Sequence, residues 1–160
     1  MPGPRRLPSR EEIRSWREFI AITQALGSLL TARLQSDTGL SPADYAVLVA
    51  LSEAADNRVR PSELAARIGW QRSRLSHHLR RMERRGLVRR EECAIDTRGA
   101  EVVLEAAGAT AYRAATVPHL IAVRELFLDA LTAEQLSAVD GIAAALRAHL
   151  ARLAPAHRPD

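Results

Sequence analysis

The side chains with the clearest chemical potential in this sequence are arginines. The 160 residues contain 23 basic side chains and no lysine, so every one of them is an arginine. Between Arg58 and Arg90, 11 arginines stand against only Glu63 and Glu83, a local charge of 11 − 2 = +9. The remaining residues hold 12 arginines and 17 acids, a net −5. Because a guanidinium matches phosphate oxygens and guanine edges, this block favours a nucleic-acid surface. The alternative is a basic helix that is exposed only to solvent.

The second half of the block predicts a helix with one apolar and one basic face. Leu75, Leu79 and Met82 recur at i, i+4 and i+7 between about Arg72 and Arg85. A solvated surface helix usually mixes charges of both signs, whereas here Glu83 is the only acid up to Arg90. We expect the first exposed residues to meet base edges and the later ones phosphates. The candidate contacts are Arg72, Ser73, Arg74, Ser76, His77, Arg80, Arg81 and Arg84.

Other reactive residues are sparse. His77 and His78 point about 100° apart on a helix and have no third ligand nearby, so no metal is predicted and His78 is expected to be partly packed. The sequence contains no glycine-rich phosphate loop, no paired carboxylates and no nucleophile motif, so it predicts neither an enzyme nor a cofactor. Cys93, the only thiol, can form neither an internal disulfide nor a multi-thiolate zinc site. We expect it to pack, and a cysteine-based redox-sensing regulator stays open as an alternative.

The segments around the basic helix have the layout of a helix-turn-helix followed by a β-hairpin. Pro61 opens a short helix that stops at Gly69, where a positive φ would turn the chain into the basic helix. Leu64, Ala65 and Ile68 would pack against Leu75, and Trp70 just after the turn would be buried. After Gly86, residues 87–91 and 100–104 predict two short strands around a polar tip from Cys93 to Gly99.

Long helices with narrow apolar stripes are predicted at both ends. One runs from Glu11 to near Thr38, and the next begins at Ser41 and Pro42, ends near Ala55 and buries Tyr45, Leu48 and Leu51. The C-terminal third predicts a helix from Glu105 to Leu131 with a bend at Pro118, then another from the capping box at Thr132. We expect the two stripes to pack on each other, within one chain or across a dimer. The dimerisation candidates are Ile13, Trp16, Ile20, Leu136, Val139, Leu146 and Leu150.

Two runs of residues resemble the MarR (multiple antibiotic resistance regulator) family of winged helix-turn-helix repressors. The run from Ser73 to Arg90 is similar to the family's recognition helix entering the wing, and Asp96-Thr97-Arg98-Gly99 is similar to its D-x-R-x wing motif. The resemblance covers about residues 12–153. Leu104 and Gly108 match the pattern that follows the wing, but Glu105 stands where the family has a threonine, which places a carboxylate near a helix N-terminus.

The resemblance implies a mainly α fold with a small β-hairpin wing and N- and C-terminal dimerisation helices. Residues 41–104 would be the winged lobe, 11–38 and 105–153 the dimerisation region, 1–10 a flexible arm and 154–160 a tail. It further implies that Arg98 enters a minor groove and that Asp96 orients nearby arginines. The wing candidates are Arg89, Arg90, Asp96, Arg98 and Gly99.

The function expected from the resemblance is a ligand-responsive repressor that binds double-stranded DNA as a homodimer on a pseudo-palindromic operator. Family members often bind small aromatic acids or related effectors, so an aromatic or phenolic effector between the two regions is implied, although no residue identifies it. RNA is disfavoured because the chain has only two residues each of Phe, Trp and Tyr. A helical protein-interaction module without DNA function is the remaining alternative.

The amino-acid composition limits the class of protein that these predictions can describe. With 47% hydrophobic and 26% charged residues, the chain is expected to form one soluble globular domain. No apolar stretch reaches the length of a membrane span, and the first residues lack the apolar core of a secretory signal. We therefore expect a cytoplasmic protein that does not contact a membrane.

Overall fold

The structure is a computed structural model that describes residues 6–92 and 100–153. Its helices and strands are α1 (Arg10–Thr38), α2 (Pro42–Ser52), β1 (Arg58–Val59), α3 (Pro61–Arg67), α4 (Arg72–Arg84), β2 (Val88–Glu92), β3 (Ala100–Leu104), α5 (Ala106–Leu126) and α6 (Ala133–Leu153). Single turns of 3-10 helix lie at Ala55–Asn57 and Leu128–Ala130. The predicted fold class, mainly helical with a small β-hairpin of the winged-helix type, is confirmed. Within the described ranges, no helix is both long and apolar enough to cross a membrane.

Polar caps start the first two helices, and a glycine ends the first. Ser9 caps α1 by accepting from the Glu12 N–H at 3.2 Å, while the Glu12 carboxylate accepts from the Ser9 N–H at 2.6 Å. Ser41 and Asp44 form the same reciprocal pair at the start of α2. Gly39 ends α1 with φ 70°, a conformation that glycine adopts without steric cost.

The sheet has one strand more than the sequence predicted. Its order is β1-β3-β2, with both pairs antiparallel, and β1 joins through Arg58 opposite Val103 and Val59 opposite Val102. A strand of two residues has no periodicity to detect. Only the pairing with β3, more than 40 residues away, makes it a strand.

Two helix ends also differ from the prediction. The helix expected to reach about Ala55 ends at Ser52, because a 3-10 turn with positive φ at Asp56 and Asn57 leads into β1. The helix expected to run to Leu131 ends at Leu126, and a second 3-10 turn precedes α6. Pro118 lies inside α5. Helix ends depend on local turns that compete with the helical hydrogen bonds, so pattern alone predicts them poorly.

The described residues up to Ala122 form one compact unit, and those from Val123 form a second. The first unit holds a core drawn from all its helices and strands. Its most deeply buried large side chains are Leu48, Leu51, Leu64, Leu75, Leu79, Met82, Val47, Val88 and Val102. At the junction of β3 and α5, Gly108 lies so close to β2 that a Cβ there would be 2.1 Å from the Leu87 carbonyl oxygen. The second unit contains α6, which begins with a reciprocal cap between Thr132 and Gln135.

Candidate nucleic-acid interface

The basic helix α4 is anchored to α3 through a tight turn. Gly69 takes φ 68° there, and the Trp70 N–H donates to the Ala65 carbonyl at 2.8 Å. Leu75, Leu79 and Met82 are fully buried, as their spacing predicted. The packing therefore leaves the opposite side of α4 facing outward.

Five arginines along α4 keep guanidinium groups that no described carboxylate pairs. They are all exposed, and they are Arg72, Arg74, Arg80, Arg81 and Arg84. Ser73 and His77 are exposed on the same helix, and Ser76 is half-buried. The sequence-predicted candidates on α4 are therefore brought together on one outward surface. Like charges at this spacing repel one another, so an anionic partner would stabilise the helix.

Other arginines of the basic block are taken up by acids. Arg67 pairs with Glu63 at 2.6 Å and Arg85 with Asp44 at 2.8 Å. The sheet arginines are also paired, Arg58 with Glu101, Arg89 with Glu91 and Glu105, and Arg90 with Glu83. The local charge of the block therefore overstates its free charge, and the unpaired part is concentrated on α4.

Two of the free arginines are held in place by ring contacts and hydrogen bonds. The Arg74 guanidinium carbon lies 4.3 Å from the centre of the Trp70 ring, a cation–π contact. The half-buried Trp70 in turn meets the His78 ring edge-on, with ring centres 5.5 Å apart. Arg81 Nη2 lies 2.8 Å from His78 Nδ1. His78 thus contacts Arg81 directly and Arg74 through the Trp70 ring. The sequence did not reveal this role.

A buried carboxylate connects α2 to α4. Asp44 is 3% exposed, and its oxygens lie 3.1 Å from His78 Nε2 and 2.8 Å from Arg85 Nη1. Burial alone would raise the pKa of Asp44, but hydrogen bonds from Arg85 and Ser41 outweigh it and hold this pKa below its usual value. The contact fixes where α4 sits relative to α2.

His78 is more deeply buried than the partial packing expected from sequence, with 5% of its surface exposed. Burial lowers the pKa of His78, the Asp44 charge opposes the shift, and the Arg81 charge adds to it. Because arginine can only donate, Nδ1 accepts the bond from Arg81, which puts the proton of the neutral ring on Nε2. Nε2 is 3.1 Å from Asp44 Oδ1 but is not in hydrogen-bond geometry with any described residue.

The fold has close counterparts of known structure. A sequence model of the MarR family matches residues 38–99. AbsC, a MarR family transcriptional regulator from Streptomyces coelicolor, is 37% identical over 91% of this chain and 98% of its own, with a TM-score of 0.85. The chain belongs to the MarR family of transcriptional regulators.

Two further relatives of this MarR family chain were crystallised with DNA. Sco3205 from Streptomyces coelicolor, in complex with DNA, is 35% identical over 97% of this chain and 95% of its own, with a TM-score of 0.87. A mutant MarR from E. coli, complexed with operator DNA, is 25% identical over 85% of this chain and 95% of its own, with a TM-score of 0.73. Among curated protein sequences, none is significantly similar to the chain.

The wing is described only at its base. Arg89 and Arg90, which sequence placed among the DNA contacts, are engaged within the protein: Arg90 donates to the Ser76 carbonyl at 3.1 Å, and Arg89 is bound by carboxylates. The other wing candidates, Asp96, Arg98 and Gly99, lie outside the described residues, as does Cys93. Their roles stay predictions.

A cavity of about 210 Å³ lies between α1, α2 and α5 in the first unit. The Tyr45 and His119 rings meet in its wall, with centres 4.7 Å apart. His119 Nδ1 is buried and has no hydrogen-bond partner among the described residues. The lining is otherwise mostly apolar and consists of Leu30, Thr31, Leu34, Pro42, Tyr45, Ala46 and His119. A small, mostly apolar site with one unsatisfied polar atom suits an aromatic molecule that carries one polar group.

Proposed function

We propose that this protein is a transcriptional regulator that binds double-stranded DNA with α4 as its recognition helix. The observation that carries the proposal is the row of exposed arginines on α4 that no described carboxylate pairs. The DNA complexes of Sco3205 and of the E. coli MarR support it, because both relatives share this fold. In this reading, Arg74 near the start of the helix contacts base edges, and Arg80 and Arg84 contact phosphates.

The regulator acts as a homodimer on a pseudo-palindromic site. Apolar side chains that the described parts of α1 and α6 leave exposed support this part of the proposal, because such stripes are usually covered by a partner. Two copies related by a two-fold axis would then present two recognition helices to successive major grooves. The proposed sign of regulation is repression, as the resemblance to the repressors of this family implies.

The cavity beside His119 is proposed as the effector site. A phenol or a protonated aromatic acid could donate a hydrogen bond to His119 Nδ1 while its ring packs on Tyr45. Such a ligand would shift the population between DNA-binding and non-binding forms by as much as its affinity for the two forms differs. Phenol, which keeps its hydroxyl proton at neutral pH, is a suitable probe, and thermal stabilisation of the parent but not of His119→Phe is the expected result.

Selection of bound sequences from a random duplex pool tests the main proposal. We expect enrichment of a site with two inverted half-sites about one helical turn apart. Enrichment of a single unrepeated half-site would contradict the dimeric part, and recovery of no sequence above background would contradict DNA recognition itself. Arg67→Gln is the control for loss of a paired arginine and should select the same site as the parent, because Arg67 belongs to the same basic block but is paired with Glu63.

A further inference from the structure

The outer face of the wing sheet carries a continuous network of alternating charges. Arg89 and Glu91 project from β2, Glu101 from β3 and Arg58 from β1, while Glu105 immediately precedes α5. Glu91 and Glu101 stand directly opposite each other, a like-charge pair that would be unfavourable alone. Arg58 bridges them at 3.6 and 3.5 Å. Three carboxylates therefore face two guanidinium groups.

Arg89 is the most fully occupied member of the network. Its Nη1 donates to Glu105 Oε1 at 2.6 Å, its Nε donates to Glu91 Oε1 at 2.8 Å, and its Nη2 donates to Glu91 as well. All three guanidinium nitrogens are thus engaged by acids, unlike those of the arginines on α4. Nearly half of the Arg89 side chain is nevertheless exposed, so a competing anion could reach it.

Glu105 is fixed to the frame of the protein. Its backbone N–H donates to the Leu87 carbonyl at 3.1 Å, at the position where α5 begins. Its carboxylate contacts Arg89, whereas that of Glu91 is shared between Arg58 and Arg89. Removing the charge of Glu105 therefore releases Arg89 Nη1 without disturbing Arg58, while Glu91 keeps Nε and Nη2.

We propose that Glu105, with Glu91, withholds Arg89 from the DNA backbone and so limits binding to DNA of arbitrary sequence. This inference rests on the proposed DNA-binding function. Affinity for arbitrary DNA comes from phosphate contacts that release counterions, whereas base edges supply the affinity that depends on sequence. Neutralising a wing cation that could reach a phosphate would lower the affinity for arbitrary DNA more than the affinity that depends on base edges. Glu105 is thus a specificity-determining residue.

The test is a salt titration of full-length Glu105→Gln and parent protein on a duplex of scrambled sequence. If Arg89 is released onto a phosphate, the plot of log affinity against log salt should steepen by about 0.9 for each Arg89. That slope corresponds to about an eightfold gain in affinity at 0.1 M salt for each contact. Affinity for the selected site should rise by a smaller factor, so the ratio of specific to non-specific binding should fall, and an unchanged ratio would contradict the role in specificity.

Two variants separate the release of Arg89 from a general effect of charge. Glu63→Gln removes one carboxylate from the same basic block and frees Arg67 instead, so it should keep the parent slope. Adding Arg89→Gln to Glu105→Gln should restore the parent slope. Arg89→Gln alone, which leaves the N-terminus of α5 unchanged, should bind scrambled DNA like the parent.

The outcomes are distinguishable. If the parent binds DNA but Glu105→Gln has the same slope, or if the double variant keeps the gain, the withholding role is wrong while the proposed function stands. If Arg89→Gln alone makes the slope shallower by about 0.9, Arg89 already contacts DNA and the inference fails. If the parent binds no duplex at any salt, the proposed function fails, and the inference fails with it.

Discussion

At the scale of single residues, arginines that look alike in sequence differ by the partners they have. Arg80 is exposed without a described carboxylate, whereas Arg67 is held by Glu63, which lies one turn earlier on the same helix, α3. Arg74 is exposed but lies on the Trp70 ring, which limits its motion without neutralising its charge. These differences decide what each substitution should change.

The first prediction compares two arginines on α4. Arg80→Gln should weaken binding to all duplexes and make the salt slope shallower by about 0.9 for each Arg80 of the dimer, because each copy loses one phosphate contact. Arg74→Ala should instead reduce the difference in binding free energy between the selected and the scrambled duplex by about 1 to 3 kcal/mol, because it removes a base contact. Fluorescence titrations on both duplexes at several salt concentrations measure the two effects. Equal loss on both duplexes for Arg74→Ala would remove its assignment to base edges.

The second prediction concerns pH. The pKa of His78 lies below that of a histidine in the unfolded chain, about 6.5, so protons bind the unfolded state first as pH falls. The stability that His78 contributes is therefore present above about pH 6.5 and is lost as pH falls through its folded pKa. Asp44 adds a second loss, but only below about pH 3.9.

Urea unfolding at pH 7.5 and 5.5 checks this expectation within the window of His78 alone. The free energy of unfolding of the parent should decrease between the two values, and His78→Gln should lose that part of the decrease. His77→Gln is the matched control on the exposed side of the same helix and should behave like the parent. An unchanged pH dependence in His78→Gln would assign the effect to another group.

The third prediction lies in the wing. Arg98→Ala should weaken DNA binding by about 1 to 3 kcal/mol, more on A·T-rich than on G·C-rich flanks, because a narrow minor groove attracts arginine. If Arg98 only pairs with Asp96 in solvent, the loss should be about 0 to 1 kcal/mol and independent of the flanks. Titrations on operators that differ only in their flanks distinguish the two outcomes.

At the scale of elements, the fold depends on a close approach between the sheet and α5. Gly108 sits against the Leu87 carbonyl, and the next contact of an added Cβ would be Leu104 at 2.9 Å. Because the nearest atom belongs to the backbone, it cannot move aside without shifting β2 or α5. The start of α5, and with it Glu105, is therefore placed by this glycine.

The fourth prediction follows from that contact. Gly108→Ala should lower the free energy of unfolding by about 2 to 4 kcal/mol, because the strain outweighs the usual gain of alanine in a helix. Gly141→Ala on α6 meets nothing within 4 Å and should instead stabilise by up to about 1 kcal/mol. Urea unfolding of the two variants measures both changes. A neutral Gly108→Ala would mean that β2 and α5 separate easily.

At the scale of the whole molecule, each of the two units leaves large apolar side chains exposed. Exposed large apolar residues occur on α1, α5 and α6, and they include Trp16, Phe19, Ile22, Leu29, Val117, Leu120, Ile121, Val139, Ile142, Leu146, Leu150 and Leu153. Such an amount of apolar surface is unusual for a monomer in water. A second copy of the chain would cover it and supply the second recognition helix that a palindromic site requires.

The fifth prediction is that the protein is a dimer at micromolar concentration. Light scattering should give twice the chain mass of 17.6 kDa, about 35 kDa. Leu146→Glu with Leu150→Glu should shift this mass toward the monomer by placing charges in the apolar stripe of α6, here called the seam. Ala148→Glu, on the same helix but outside the seam, is the control and should stay dimeric. A mass near that of one chain for the parent would contradict the dimer.

The sequence by itself determined the helices, the two-stranded hairpin and the basic face of α4. These features come from local rules, since caps, glycines and the spacing of Leu75, Leu79 and Met82 act within a few residues. Tertiary structure alone decided which arginines are free, because the acids that occupy Arg85 and Arg58 lie 41 and 43 residues away along the chain. It also decided β1, which exists only through β3. Pairing between distant residues depends on how the chain folds back on itself, and no local pattern records it.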